Sequence, residues 1–351
     1  MNETAAGERE ALMSALERTI RRDPARRGLL GNDAESLCPG HLSAAADHLG
    51  RFGRQVWILT GFFVPTGNPP AAETDGPPGA AFLASVLQSC GMEPLLLTDR
   101  PCADAVRVAA ANYGIGTESV HICPDDCGRI DAWVEGLEHR AGAEPLTHVI
   151  AIERVGPSHQ PASWSDPLLA DRFRNEVPSE HWNRCHNMRG EVIDYCTPPL
   201  HRVVEWVASR SPGVKTIGIG DGGNEVGMGA IPYAELRRRL IEPQASRIPC
   251  RVPTDWTILA GVSNWGAMAL SAAVCCQRGR LNLLRGMDRP MEEQRLQALV
   301  ASGPAVDGVT RLQEPTVDGL PFLTYLQPWE TMRSLLGIDG AASERSIPSG
   351  G

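Results

Sequence analysis

The sequence predicts an α/β fold: a largely parallel sheet with helices on both faces, preceded by a helical segment. Five short apolar runs, each followed by a loop rich in glycine or proline, alternate with helical stretches. Apolar runs without alternating polar residues are typical of strands that are buried on both faces, as in parallel sheets. The chain has 351 residues, of which 42% are hydrophobic, which is enough for the large core that such a fold needs.

The order of the elements supports this fold class. Residues 8–20 show helical spacing of their apolar side chains, and a second helix is expected over 33–50. Strands are expected in "VWILTG", "PLLLTD", "THVIAIERVG", "KTIGIGDGG" and "DWTILAGVS", and further helices at 79–90, 101–113 and 198–210. We therefore divide the chain into an N-terminal helical segment (1–50), a Rossmann-like three-layer main domain (51–337) and a disordered tail (338–351). Residues 158–167 are a candidate lid.

Composition excludes several classes of function. The formal net charge of −9 argues against nucleic-acid binding, and no apolar stretch is long enough to cross a membrane. Ten cysteines and an acidic N-terminus without a signal peptide predict a cytoplasmic protein, or one of the mitochondrial matrix if the source is eukaryotic. Lys215 is the only lysine and begins a predicted strand, which argues against a P-loop and against pyridoxal phosphate. The oligomeric state stays open, and a homo-oligomer is compatible with the sequence.

The segment "GIGDGGNEVGMG", residues 218–229, matches the dinucleotide-binding pattern G-x-G-x-x-G. Its Asp221 and Glu225 would repel a phosphate, and it lies far from the first strand, where such loops normally occur. We therefore expect no NAD. Oxygen ligands from Asp221, Asn224 and Glu225 suit Mg²⁺ or Mn²⁺ instead. The alternative is a glycine-rich turn whose aspartate caps the next helix.

Other polar side chains follow the remaining apolar runs, and parallel strands end at one edge of a sheet. Thr74 and Asp75 follow the first run, Glu153 ends the third and Asn264 follows the last. Arg189 is the guanidinium best placed by sequence for a two-point grip on a carboxylate. Helix capping is the alternative for Thr74, Asp75 and Asn264, and a salt bridge at the rim is the alternative for Glu153.

Five of these blocks together resemble the D-glutamate cyclase family: "TGFFVP…ETDGPPGA", "AIERVGPS", "NMRGEVID", "GIGDGGNEVGMG" and "ILAGVSNWGA". The resemblance extends in the same order over residues 13–335. It implies a lyase that converts D-glutamate to 5-oxo-D-proline with loss of water. Archaeal relatives resemble metal-dependent phosphatases, so the resemblance leaves more than one chemistry open.

For a cyclase, we expect Mg²⁺ or Mn²⁺ at Asp75, Asp221 and Glu225, with Glu153 as a ligand or as the general base. Glu153, Asp221 and Glu225 are therefore the candidate catalytic residues. The small acidic substrate is expected to contact Thr74, Arg189, Asn224 and Asn264, with Arg189 on its α-carboxylate. The alternatives are a Mn²⁺- or Mg²⁺-dependent phosphatase acting on a small phosphorylated metabolite and a non-catalytic module that binds a small acidic metabolite.

Overall fold

A computed structural model describes residues 3–30, 36–140, 144–242 and 244–338. Its main sheet has six strands, here numbered in chain order. They are β1 Gln55–Thr60, β2 Glu93–Thr98, β3 Val120–Ile122, β4 Leu146–Ile152, β5 Lys215–Gly220 and β6 Trp256–Leu259. All neighbouring pairs are parallel, and the spatial order is β3-β2-β1-β4-β5-β6. The α/β prediction is confirmed.

Eleven helices surround this sheet in the described part of the chain. They are α1 Glu3–Ile20, α2 His41–Phe52, α3 Pro77–Ser89, α4 Ala103–Asn112, α5 Ile130–Arg140, α6 Pro167–Glu176, α7 Arg202–Arg210, α8 Tyr233–Arg239, α9 Ser263–Arg278, α10 Arg289–Ser302 and α11 Phe322–Leu335. Two short ribbons pair Phe63–Val64 with Ala71–Ala72 and Thr316–Val317 with Leu320–Pro321. Within the described ranges, no helix combines the length and apolar character needed to cross a bilayer.

The two faces of the sheet bury separate hydrophobic cores. Successive side chains of a strand point to opposite faces, and in β1 Val56 and Ile58 enter one core while Trp57 and Leu59 enter the other. The first core contains α1, α2, α3, α4, α9, α10 and α11, and the second contains α5, α7 and α8. Helices therefore lie on both faces, as the apolar runs predicted.

Several details differ from the prediction. The third strand, β3, was not predicted, because its three residues form too short an apolar run to indicate a strand. The second helix begins at His41, after Gly40 in the left-handed region (φ 74°), and not at 33. Of the predicted tail, only Ile338 is described, and it is buried; residues 339–351 lie outside the described ranges. The division at residue 50 stays a prediction.

The strand order places one junction at the centre of the molecule. The chain builds the sheet outward from β1 to β3 and then returns to β4, on the other side of β1. In open α/β sheets of this order, ligands bind beyond the carboxyl ends of the strands at this reversal. The loops that follow β1, β4 and β5 meet there, and they carry the predicted acidic residues.

Candidate functional site

Three predicted carboxylates meet beyond the carboxyl ends of the sheet. Asp75 lies in the loop after β1, Glu153 directly follows β4, and Asp221 directly follows β5. Each is buried, and one oxygen of each lies within 4.8 Å of the others. The structure thus brings together residues that are separated by up to 146 positions in the chain. We call Asp75, Glu153 and Asp221 the carboxylate triad.

Asp75 is held by the N-terminus of α9. Its Oδ2 accepts the backbone N–H of Ser263 at 2.8 Å, and its Oδ1 accepts those of Asn264 at 2.8 Å and Gly76 at 3.0 Å. Asp75 therefore caps α9, whereas the capping alternative expected it to cap the helix that follows it in sequence, whose N-cap residue, Gly76, offers no side-chain cap. Oxygen lone pairs remain for a further ligand, because each carboxylate oxygen accepts more than one bond.

Asn264 and Thr74 hold the loop that carries Asp75. The side-chain oxygen of Asn264 accepts the N–H groups of Gly76 and Gly79, at 3.0 and 2.8 Å, and its amide nitrogen donates to the Thr74 carbonyl at 3.1 Å. The Thr74 hydroxyl donates to the Thr316 carbonyl at 2.7 Å. Both side chains are engaged by backbone groups, so the contacts shown are structural; their predicted contact with substrate stays a prediction.

Glu153 has an unusual backbone conformation for a non-glycine residue, with φ at 46°. Its Oε2 accepts a hydrogen bond from the hydroxyl of Ser263 at 2.6 Å. A Cβ atom on Gly76 would lie 2.8 Å from the Cβ of Glu153, so the loop after β1 passes close to it. Such a conformation persists only where the surroundings enforce it, and it is often found at functional sites.

In the glycine-rich loop, the Glu225 carboxylate contacts backbone N–H groups of the same loop, and the glycines pack against β5. The carboxylate of Glu225 accepts the backbone N–H groups of Asp221, Gly222 and Gly223, at 3.2, 2.7 and 2.8 Å. A Cβ on Gly218 would lie 2.5 Å from the Cα of Gly227, so the loop folds back onto β5 through glycine contacts. Glu225 thus closes the loop that presents Asp221, and its predicted role as a metal ligand stays untested.

The sequence did not indicate two further members of this site, Arg27 and Asp318. The Arg27 guanidinium forms an ion pair with Asp221 and a two-point contact with Asp318, in which Nη1 and Nη2 each lie 3.1 Å from one oxygen. Arg27 belongs to the basic run 21–27, and a basic run of this kind is as typical of a solvated helix end as of a binding site. Asp318, like Glu153, has a positive φ (53°), and it lies in a tight turn. Neither Arg27 nor Asp318 belongs to a periodic pattern in the sequence.

A cavity of about 370 Å³ opens above these groups. Glu73, Glu153, Arg27, Asn224 and Asp318 are among its lining residues, and so is Arg189. Its volume is in the range of small-molecule sites. None of the residues 158–167, all of which are described, lines it; Trp164 of the predicted lid packs instead on Phe173 and Tyr233.

The electrostatics of this site disfavour full ionisation of its carboxylates, and the charge of Arg27 offsets part of that cost. Burial raises the pKa of Glu73, Glu153 and Asp221 well above their usual values, and neighbouring carboxylates raise them further. Burial and Asp318 raise the pKa of Asp75 to about 7, against the hydrogen bonds from α9. These groups are costly to ionise together, and a nearby positive charge removes much of that cost.

The residues present fit a hard divalent cation. The carboxylate triad supplies three oxygen donors, the type that Mg²⁺ and Mn²⁺ prefer. Within the described ranges, Glu73 Oε1 and Asn224 Oδ1 are buried and have no hydrogen-bond partner, so two more oxygens remain uncommitted near the triad. Asn224 is fixed by its amide nitrogen, which donates to the His186 carbonyl at 2.9 Å.

Arg189 differs from the other predicted residues because it lies at the rim of the cavity. Its side chain is exposed, and partial desolvation, followed by the positive charge of Arg311, lowers its pKa. The structure therefore brings Asp75, Glu153 and Asp221 together, places Glu225, Asn264 and Thr74 around them as supports, and leaves Arg189 at the entrance.

Comparison with known proteins gives two matches. A family model described as "D-glutamate cyclase-like, C-terminal" matches residues 16–163 and 179–333. The human protein "D-glutamate cyclase, mitochondrial" is 28% identical over 333 residues, which are 88% of this chain. The match covers 49% of the human protein, so the chain spans about half the length of that relative.

Proposed function

Since this chain belongs to the D-glutamate cyclase-like C-terminal family, we propose that it converts D-glutamate to 5-oxo-D-proline with loss of water. The observation that supports this proposal most strongly is the buried carboxylate triad beneath a cavity of about 370 Å³. The family supports D-glutamate as the substrate, and the triad supplies groups that can bind a cation and transfer protons.

The reaction needs a proton acceptor and a polarised carboxylate. The substrate nitrogen attacks the carbon of the γ-carboxylate, a C–N bond forms and a C–O bond of that carboxylate breaks. The ammonium group gives up two protons, and the departing oxygen takes two and leaves as water. A carboxylate whose pKa is raised towards neutrality is suited to this transfer. Glu153 and Glu73 are the candidates, because both line the cavity and both have raised pKa values.

We assign Asp75, Glu153 and Asp221 as the residues that would hold Mg²⁺ or Mn²⁺. The bound ion would supply Lewis-acid polarisation of the γ-carboxylate, which is worth several kcal/mol of charge stabilisation. If Glu153 is a ligand, Glu73 is the base. Glu225 would act indirectly, by closing the loop that presents Asp221.

The cavity orients the substrate through its walls. No residue in the described part of the chain donates a hydrogen bond to the side-chain oxygen of Asn224, so this oxygen could accept one from the substrate ammonium. The bent conformer that brings the nitrogen and the γ-carboxylate carbon together must be enforced by contacts at both ends of the substrate. The γ-carboxylate end of the substrate would face the carboxylate triad, and its α-carboxylate end needs a guanidinium.

A substrate panel tests this function. Purified protein is incubated with Mn²⁺ and with D-glutamate, L-glutamate or p-nitrophenyl phosphate, and oxoproline and phosphate are quantified. Oxoproline from D-glutamate, well above the uncatalysed rate, is expected. Release of phosphate without oxoproline would establish the phosphatase alternative, and no turnover of any substrate would favour a binding module.

A further inference from the structure

Arg27 lies in a segment whose backbone is held by hydrogen bonds near both ends and in the middle. We call residues 21–30 the N-terminal strap. At its start, the Gly261 N–H donates to the Ile20 carbonyl at 2.9 Å, and at its end Arg239 donates to the Leu29 carbonyl at 2.9 Å. Between them, the Asp23 carboxylate accepts the backbone N–H groups of Arg27 at 2.9 Å and Gly28 at 2.8 Å. The strap thus fixes the backbone from which the Arg27 side chain extends.

The guanidinium of Arg27 is only partly engaged. Nη1 and Nη2 each donate a hydrogen bond to one oxygen of Asp318, and Nη1 also forms an ion pair with Asp221. The Nε–H and the remaining Nη2–H lie on one edge of the guanidinium and form a second fork. No side chain or carbonyl in the described ranges accepts a hydrogen bond from this fork. Arg27 lines the cavity, and its side chain is 16% exposed.

We propose that the free fork of Arg27 binds the α-carboxylate of the substrate and makes Arg27 the residue that selects amino acids over simple amines and monoacids. This inference rests on the proposed function. Two parallel N–H···O bonds match the spacing of a carboxylate. Because Arg27 touches Asp221, a substrate held there has its α-carboxylate beside the carboxylate triad, with its chain extending over the site.

Arg27 suits this role better than Arg189. The strap and two aspartates already hold the Arg27 side chain, so little conformational entropy is lost when a ligand binds. Arg189 is exposed at the rim and would have to be ordered by the ligand. Asp221 and Asp318 outweigh the charge of Arg27, so we expect the carboxylate to bind when a divalent cation is also present.

The test measures binding of two ligands that cannot cyclise. Glutarate and butanoate differ by one carboxylate, and their Kd values are measured by calorimetry with Mg²⁺ present. For the wild type we expect glutarate to bind about 10- to 100-fold more tightly, the worth of one charge-assisted hydrogen-bonded pair. In Arg27→Gln the two Kd values should agree within about 3-fold, whereas in Arg22→Gln the preference should remain. Arg22 is an exposed member of the same basic run.

A second variant separates binding from folding. Arg27→Lys keeps a cation beside Asp221 and Asp318 but has no fork, so it should keep the wild-type melting temperature to within a few degrees and still lose the preference. The proposal is overturned if the wild type shows no preference, if either Arg27 variant keeps it, or if Arg189→Gln alone abolishes it. Failure of the cyclase function appears elsewhere, as no oxoproline from D-glutamate in the wild type.

Discussion

Asp75 caps α9, the helix that contains Asn264, and Asn264 caps α3, the helix that follows Asp75 in the chain. The Asp75 carboxylate accepts the first N–H groups of α9, where Asn264 lies, and the Asn264 side chain accepts the N–H groups of Gly76 and Gly79 at the start of α3. The first N–H groups of a helix have no partner within the helix. This exchange satisfies four of them and locks the loop after β1 to the turn after β6, which places Asp75 in the carboxylate triad.

We expect Asn264→Ala to destabilise the fold strongly. The substitution removes one amide that makes three buried hydrogen bonds, leaves the N–H group of Gly79 without its partner, and leaves that of Gly76 with Asp75 alone. The expected loss is about 2–5 kcal/mol of the free energy of unfolding, measured by urea denaturation. Asn282→Ala, at an exposed position, is the control and should change it by less than about 0.5 kcal/mol. An equal, small effect of both would show that the reciprocal caps are unimportant.

Glu225→Gln tests the role of the glycine-rich loop. A glutamine presents an NH₂ group where the carboxylate accepts three backbone N–H groups, so at least one of these bonds is lost. We expect a loss of about 2–4 kcal/mol in stability and weaker Mn²⁺ binding, because Asp221 is no longer held. Glu293→Gln, exposed on α10, should match the wild type in both measurements. Unchanged stability together with lost Mn²⁺ binding would instead make Glu225 a direct ligand.

The raised pKa of Glu73 predicts a pH-dependent effect of Glu73→Gln in the presence of EDTA. Burial and nearby carboxylates raise this pKa above its usual 4.5, so the folded state binds a proton that the unfolded state releases. Stability from this group is fully present below pH 4.5 and is lost as pH rises towards the folded pKa. The glutamine variant should therefore gain stability relative to the wild type between pH 5 and 8.

Urea denaturation at pH 5, 6.5 and 8 measures this difference, and comparing two proteins cancels the titration of shared groups that do not interact with Glu73. The exposed Glu180→Gln is the control and should show no such trend. A constant difference between wild type and Glu73→Gln would show that Glu73 ionises normally in the folded protein.

The buried ion pair of Arg154 and Asp99 predicts a second stability contrast. Both side chains are about 1% exposed, and Arg154 also donates to the carbonyl of Gly61 at 2.7 Å. Arg154→Met leaves a buried, unpaired carboxylate and should cost about 3–5 kcal/mol, part of which the added Asp99→Asn should recover. In the exposed pair Arg100–Asp125, Arg100→Met should cost less than about 1 kcal/mol. Equal losses at the two sites would contradict the burial argument.

Sequence reasoning found the triad because parallel strands end at one edge of a sheet, so acids after separate apolar runs must approach one another. The sequence did not distinguish acidic residues whose side chains face the cavity from those whose carboxylates bind the backbone of a loop. Glu225 and Asn264 are engaged by backbone N–H groups, and only their geometry shows this. Arg27 and Asp318 lie in irregular segments far apart in the chain, and their pairing depends on tertiary packing that no local pattern encodes.

We propose that the carboxylate triad supports cyclisation of D-glutamate with a divalent cation. The most direct test of this role is the rate of 5-oxoproline formation from D-glutamate, followed by ¹H NMR, for protein as purified with Mn²⁺, after removal of metal with EDTA, and after Mn²⁺ is restored. We predict formation with Mn²⁺, a loss of at least about 100-fold after chelation, and recovery on restoring the ion. Undiminished oxoproline formation after complete removal of metal would rule out this role of the triad, as would the absence of oxoproline in all three samples.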